Sequence, residues 1–209
     1  MARRNALLDT ALAYAGIGVS VVPAFPLVQS DRSRRSRLLR TGGGAWECGC
    51  ADSMCPRPGA HPLSRDAVPI AGRAEISLAW RAMEPPPAVM IVPDGRFDVW
   101  EVPCVLGAVA IRQMESQQLR IWPPTSRLPD RRWLMVTAPV GDRTWHAEWP
   151  GLGVRRVDRT SPVLVPPSRT PRGVMHWMWS RRFPRAPLPA ASVVLGAFAN
   201  AASQLAGTE

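Results

Sequence analysis

Three cysteines and a histidine crowd the stretch "CGCADSMCPRPGAHP", residues 48–62. The spacing C-x-C-x4-C-x5-H singles out Cys48, Cys50, Cys55 and His61. Three thiolates and one imidazole supply the four ligands that tetrahedral zinc takes. The C-x-C start is tighter than the usual C-x2-C, and Pro56, Pro58 and Gly59 stiffen the path to His61. A metal-free loop of buried thiols and a redox-active thiol pair are the alternatives. C-x-C strains a disulfide, and no thioredoxin-like βαβ pattern surrounds it. Four protein ligands close the metal's shell, whereas a catalytic zinc keeps a position open for water. The zinc expected here is therefore structural. Cys104, the remaining cysteine, is a minor substitute for His61 because it lies far along the chain. Cysteines this clustered point to a metal and to a reducing compartment, so a cytoplasmic location is expected.

The next chemistry is cationic. The formal net charge is +10, and all 26 basic residues are arginine. Drift of a GC-rich genome from lysine to arginine codons accounts for the bias in its simplest form. Either way, arginine brings planar bidentate phosphate recognition and stacking, and no lysine is available for a Schiff base or a Walker-type clamp. A basic balance fits an acidic partner, most often nucleic acid.

These residues need elements to position them. A chain of 209 residues with 46% hydrophobic content is one globular domain, or one with arms. The 23 prolines predict short elements and rigid loops. Periodicity predicts a helix over 4–15, with Leu7, Leu8, Ala11, Leu12 and Ala15 on one face, and then a buried strand over 19–25. Residues 29–46 read as a basic loop carrying Arg34, Arg35, Arg37 and Arg40, and 47–62 as the Cys/His loop. A helix over 74–83 stops at the triple proline 85–87, and strands follow over 88–92 and 96–102. A helix is predicted over 104–118, with strands over 131–138, 161–168 and 173–179. In the last of these, Val174, His176 and Met178 share a face. Residues 190–206 form a terminal small-residue helix, leaving 1–189 as one domain and 190–209 as its tail. Helices and strands interleave without a βαβ repeat, which favours α+β with a mixed or antiparallel sheet. The first 25 residues have a positive start and an apolar stretch, but Asp9, Gly16 and Gly18 interrupt it, so export is not expected. No apolar run is long enough to span a membrane.

The order of features resembles a known family. "ALAYAGIGVSVVPAFP" is followed by "CGC…C…PGAHP", a Trp-containing helix, "AVMIVPDGRFDVWEVP", "DRRWLMV" and "VLVPPSR…GVMHW". This is similar to the N-terminal domain of bifunctional DNA primase/polymerases, the Prim-Pol domain, in its short actinobacterial stand-alone form. The resemblance spans about residues 6–180 and lies in the order of five motifs, none decisive alone. It implies an archaeo-eukaryotic primase-like fold and a two-metal Mg2+ or Mn2+ site that joins nucleotides on a template. Two-metal transfer needs acids that point the same way, which on a strand means i and i+2.

The catalytic motifs depart from the family pattern. The first acidic motif falls on "RFDVWEVP", where Asp98 and Glu101 are three apart and face opposite sides of a regular strand. Trp133 stands where the family has a histidine. The third acid is expected near Val154 to Arg156, and Asp158 is the nearest carboxylate. The lysine of the family's "PGKHP"-like element is Ala60. The expectation is a degenerate Prim-Pol domain, a pseudoenzyme tied to DNA replication, that binds single-stranded DNA or nucleotides. Asp98 and Glu101 are its residual catalytic acids, or else ordinary strand acids. Arg131, Arg132, Trp133, Arg155, Arg156 and Arg169 form the nucleic-acid surface, with Arg159, Arg172 and Trp177 nearby, or else a solvated basic face. His146 and His176 are weaker candidates for proton transfer. A replication, plasmid or phage protein is the expected protein partner. An active primase/polymerase with a rearranged acid set, and a zinc-stabilised protein-interaction module, are the alternatives.

Overall fold

Asn5 opens the first helix by accepting a hydrogen bond from the Leu8 backbone N–H. The computed structural model describes residues 5–29, 46–50, 52–64, 66–118, 121–128, 130–140, 149–178 and 187–207. Among these residues it has four α-helices and eleven strands, all paired antiparallel. The predicted α+β class with antiparallel sheets is what the chain adopts. The contacts divide it into two units, residues 1–92 with 162–175 and residues 93–161 with 176–209.

In the first unit, α1 (Ala6–Ala15) buries Leu8, Ala11 and Tyr14. The buried stripe thus runs on to Tyr14, a residue that the sequence reading left off the helix's apolar face. The helix stops at Gly16, whose N–H returns to the Leu12 carbonyl. Strands β1 (Val21–Ala24), β4 (Ala88–Ile91) and β9 (Val163–Leu164) form a three-stranded sheet in the order β1-β4-β9. All four residues of β4 are buried, as the central place of that strand requires. Helix α2 (Arg73–Arg81) packs against α1 and buries Ile76 and Trp80.

Two strands predicted for this region are much shorter than expected. The stretch 161–168 yields only β9, because Pro162, Pro166 and Pro167 have no N–H to give a ladder. After β9 the Ser168 hydroxyl accepts from the Val89 N–H (2.9 Å) and donates to the Val89 carbonyl (3.2 Å). The stretch 173–179 yields only β11 (Gly173–Val174), paired with β10 (Arg169–Thr170). The chain passes from the first unit to the second between Met175 and His176, so no single strand runs through. Met175 is buried and His176 exposed, and the expected shared face of Val174, His176 and Met178 is not built.

Two short strands that the reading of 29–46 as a loop left out lie at the borders of that segment. Strand β2 (Leu27–Gln29) pairs with β3 (Trp46–Cys48) in the register Leu27↔Cys48, Val28↔Glu47 and Gln29↔Trp46. Arg34, Arg35, Arg37 and Arg40 lie outside the described residues, as does His146.

The second unit is a four-stranded sheet in the order β6-β7-β5-β8, made of β6 (Thr125–Arg127), β7 (Arg132–Thr137), β5 (Asp98–Pro103) and β8 (Arg155–Arg156). Helices α3 (Cys104–Ser116) and α4 (Ala191–Ala206) cover one face. Trp100, Val102, Trp133 and Met135 of the sheet pack there with Leu106, Ala110 and Met114 of α3 and Val194, Phe198 and Ala201 of α4. Gly107 makes this approach possible: a Cβ there would lie 2.7 Å from Trp133 Cε3 and 3.1 Å from Val102 Cγ2. Strands β6 and β8 escape a pattern search because they are only three and two residues long.

Candidate metal centre and acidic strand

The Cys/His loop grows from the end of a strand pair. Cys48 closes β3, opposite Leu27, and its sulfur is buried. The loop then turns back along β1. The Phe25 N–H donates to the His61 carbonyl (3.1 Å), the Leu63 N–H to the Pro23 carbonyl (3.1 Å), and Pro62 bridges to Ala24. Gly59 has a left-handed φ of +71°, and a Cβ there would sit 2.7 Å from Leu27 Cγ. Its N–H donates to Cys48 Sγ at 3.3 Å. Only glycine satisfies both the backbone angle and the space.

These constraints bring the four predicted ligands together. One ligand atom from each of Cys48, Cys50, Cys55 and His61 lies within 4.8 Å of every other. His61 Nε2 is 3.3 Å from Cys48 Sγ and 3.4 Å from Cys55 Sγ. Bonds of about 2.3 Å to sulfur and about 2.0 Å to nitrogen imply ligand separations of roughly 3.5–3.8 Å in a tetrahedron. The group has the size and donor set for one such ion. His61 Nδ1 lies 3.1 Å from the Pro62 carbonyl, an interaction that leaves Nε2 for the metal.

The thiols of Cys48 and Cys55 shift in opposite directions. Burial pushes the Cys48 thiol up, but the N–H groups of Gly59 and Cys50 and the neighbouring thiols outweigh it and hold its pKa below the usual 9.0. Cys55 moves the other way: burial and the Cys50 and Cys48 sulfurs push it up to about 11, against the Arg57 N–H. Three adjacent thiolates repel one another, and a divalent cation among them removes that repulsion.

The acidic strand is arranged differently. Strand β5 pairs with β7 residue for residue, from Asp98↔Thr137 to Pro103↔Arg132, with no bulge. Alternation therefore sends Asp98 and Glu101 to opposite faces, as read from the sequence. Asp98 is fully buried and lies on the same face as Trp100 and Val102. Its Oδ2 accepts the Val140 N–H (2.6 Å) and its Oδ1 is 3.3 Å from Arg159 Nε. Arg159 also donates to the Val140 carbonyl (2.9 Å), closing a three-residue ring of bonds. Beside it, Trp100 Nε1 donates to Thr137 Oγ1 (2.9 Å). Glu101 Oε2 accepts from Arg155 at 2.7 Å and lies 3.7 Å from Arg132 Nε. Asp158 caps its own turn, accepting from the Thr160 hydroxyl and from the Thr160 N–H (2.7 Å), and those bonds, the hydroxyl's first, lower its pKa from 3.8. Among the described residues, the Cys/His cluster is the one group of three or more potential ligands; Asp98, Glu101 and Asp158 do not form another.

The remaining candidates separate. Trp133, at the family's histidine position, is a core residue with its ring against Gly107. Its face is therefore not available for stacking a base. Val154, where the third acid is expected, is likewise buried. Arg131 is exposed at the turn before β7, with φ of 61°. Arg132 is half-buried and donates to the carbonyls of Glu101 (2.9 Å) and Gly153 (2.6 Å), so it ties strands together. Arg155 is exposed on β8 and Arg156 partly buried. Arg169 belongs to the first unit, where its guanidinium lies 4.1 Å from the ring centroid of Trp46. The pairing of Trp46 with Arg169, and of Arg159 with Asp98, left no signal in the sequence, since each joins residues 61 or more positions apart.

The fold and the centre define an α+β protein of antiparallel sheets with a Cys3His group able to hold a metal ion. The family model described as bifunctional DNA primase/polymerase, N-terminal, matches residues 11–191, and the chain belongs to that family. No curated protein and no solved structure matches it significantly. No helix among the described residues is long and apolar enough to cross a membrane.

Proposed function

We propose that the chain is a Prim-Pol domain that binds single-stranded nucleic acid or nucleotides and no longer polymerises at the family's acidic strand. The observation that carries this reading is the unbroken register of β5 with β7. It separates Asp98 and Glu101 across the sheet, where each is held by arginine rather than aimed at a shared ion. Two-metal transfer needs convergent carboxylates that clamp both ions. The exposed Arg131 of the second unit and, separately, Arg169 of the first unit are the predicted cations that make no ion pair with a carboxylate among the described residues, and cationic contacts are what phosphate binding needs. Cys48, Cys50, Cys55 and His61 hold a structural zinc, which contributes stability to its loop and leaves no open coordination position. Three adjacent thiols stay available to a metal in a reducing cytoplasm. A replication, plasmid or phage protein is the partner that would supply the missing chemistry.

The test is a primer synthesis and extension assay with Mg2+ and with Mn2+, run beside single-strand binding at stepped salt. Binding that weakens as salt rises, with no nucleotide incorporation, is the expected result. Incorporation abolished by Asp98→Asn would restore a metal role to that acid and overturn the reading. Incorporation that survives Asp98→Asn with Glu101→Gln would place catalysis on a rearranged acid set. No binding at low salt would leave a zinc-stabilised protein-interaction module.

A further inference from the structure

We infer that the Cys3His centre positions a phosphate grip. In this grip Arg169, stacked on Trp46, takes the phosphodiester backbone of single-stranded nucleic acid together with Arg57 and Arg172. The inference rests on the nucleic-acid reading above and names where in the first unit that binding is anchored.

Arg169 and Trp46 are held in place by the same loop that holds the metal. Trp46 begins the three-residue strand that Cys48 ends. The Arg169 carbonyl lies against Gly59: a Cβ at that glycine would be 3.2 Å from it. Gly59 in turn donates its N–H to Cys48 Sγ. Trp46 thus lies two residues from Cys48, and Arg169 reaches the Cys48 sulfur through Gly59 in two contacts. Fixing that sulfur on a metal fixes the strand end under Trp46 and the glycine behind Arg169.

The pair is also chemically suited to phosphate. Stacking on indole covers one face of the guanidinium and leaves its N–H edges directed outward, the geometry in which arginine binds phosphate oxygens. Among the described residues, no carboxylate lies in ion-pair reach of Arg169, Arg57 or Arg172. By contrast, carboxylates occupy Arg132, Arg155 and Arg159 in the second unit. Arg57 is exposed on the metal loop two residues before Gly59. Arg172 is exposed in the turn that joins β10 to β11.

The test is fluorescence anisotropy of a labelled oligothymidylate of about 20 nucleotides, long enough to cover one single-strand binding module. The full zinc-loaded chain is titrated at stepped salt. Arg169→Gln is expected to weaken binding about tenfold, the scale of one charge-assisted phosphate contact. The slope of log affinity against log salt should fall by about 0.7 for that contact. Arg169→Lys, which keeps the charge and loses the planar fork, should fall between. Chelation should weaken the wild type to a similar degree, and added zinc should restore it. In Arg169→Gln, chelation should then cost little more, because the two changes act on one contact. The thiolate-to-cobalt absorption of Co2+-loaded Arg169→Gln should match the wild type, showing the centre intact. Wild-type binding that is unchanged by Arg169→Gln and by Trp46→Leu overturns this inference alone. Additive losses from chelation and Arg169→Gln also overturn it, since the metal would then act elsewhere. A wild-type chain that does not bind overturns this inference and the nucleic-acid reading together.

Discussion

Single residues show how the acidic strand is used. Asp98 is buried with the Val140 N–H and Arg159 as partners, so removing its carboxylate strands a buried donor and a cation. Asp98→Ala should lower unfolding free energy by about 3 kcal/mol in urea denaturation, toward the lower end of the range for broken buried pairs because Arg159 is partly exposed. Glu101→Ala should cost about 1 kcal/mol or less, since its main partner Arg155 is solvent-exposed. A pair of equal effects would contradict the assigned roles. Asp158 makes a pH prediction. Its folded pKa lies below 3.8, so the folded state holds its proton less tightly than the unfolded chain. Its stabilisation is full above the ordinary carboxylate value and disappears as pH falls through the lowered one. Melting curves from pH 5 to pH 2 should show a shallower acid loss in Asp158→Asn than in the wild type.

Elements decide whether these residues meet. Helix α3 reaches the sheet only because Gly107 has no side chain to strike Trp133. Gly107→Ala should lower the melting temperature: overpacking costs about 1–3 kcal/mol, more than the roughly 1 kcal/mol of helix propensity gained. A rise in melting temperature would mean that the Trp133 ring yields. In the other unit, Gly59→Ala forces a methyl against Leu27 at a left-handed backbone angle. It should reduce zinc retained per chain on metal analysis after dialysis, while Ala60→Lys should not. The long periodic helices were legible in the sequence because their apolar stripes span three turns or more, as in α3 and α4. Strands β6, β8 and β10 were not, since two or three residues carry no period. The strand expected over 173–179 failed for a related reason. Its alternating pattern was real, but the chain changes units inside it.

The chain carries its Cys3His group in one unit and a helix-covered sheet in the other. All four ligands lie in the first unit. Chelation should therefore remove hydrogen-exchange protection first from β2, β3 and the loop to residue 62. Strands β5 and β7, which contain no ligand, should keep theirs. Loss of protection in all strands at once would show that the metal governs global stability. The charge of +10 makes any nucleic-acid affinity of the chain strongly salt-dependent.

The sequence by itself determined the ligand set, the α+β class and the family. Each is written in local spacing or in motif order, which survives without knowledge of the fold. It also put Asp98 and Glu101 three residues apart, on opposite faces of any regular strand, while the unbulged register that keeps β5 regular belongs to the structure. Only the tertiary structure decided what those acids do instead, since Arg159 and Arg155 reach them from more than 50 residues away. It also decided that Trp133 is core rather than a stacking platform, and that Trp46 carries Arg169 beside the metal loop. Burial and long-range contact are properties of the packed chain, and no spacing along the sequence encodes them directly.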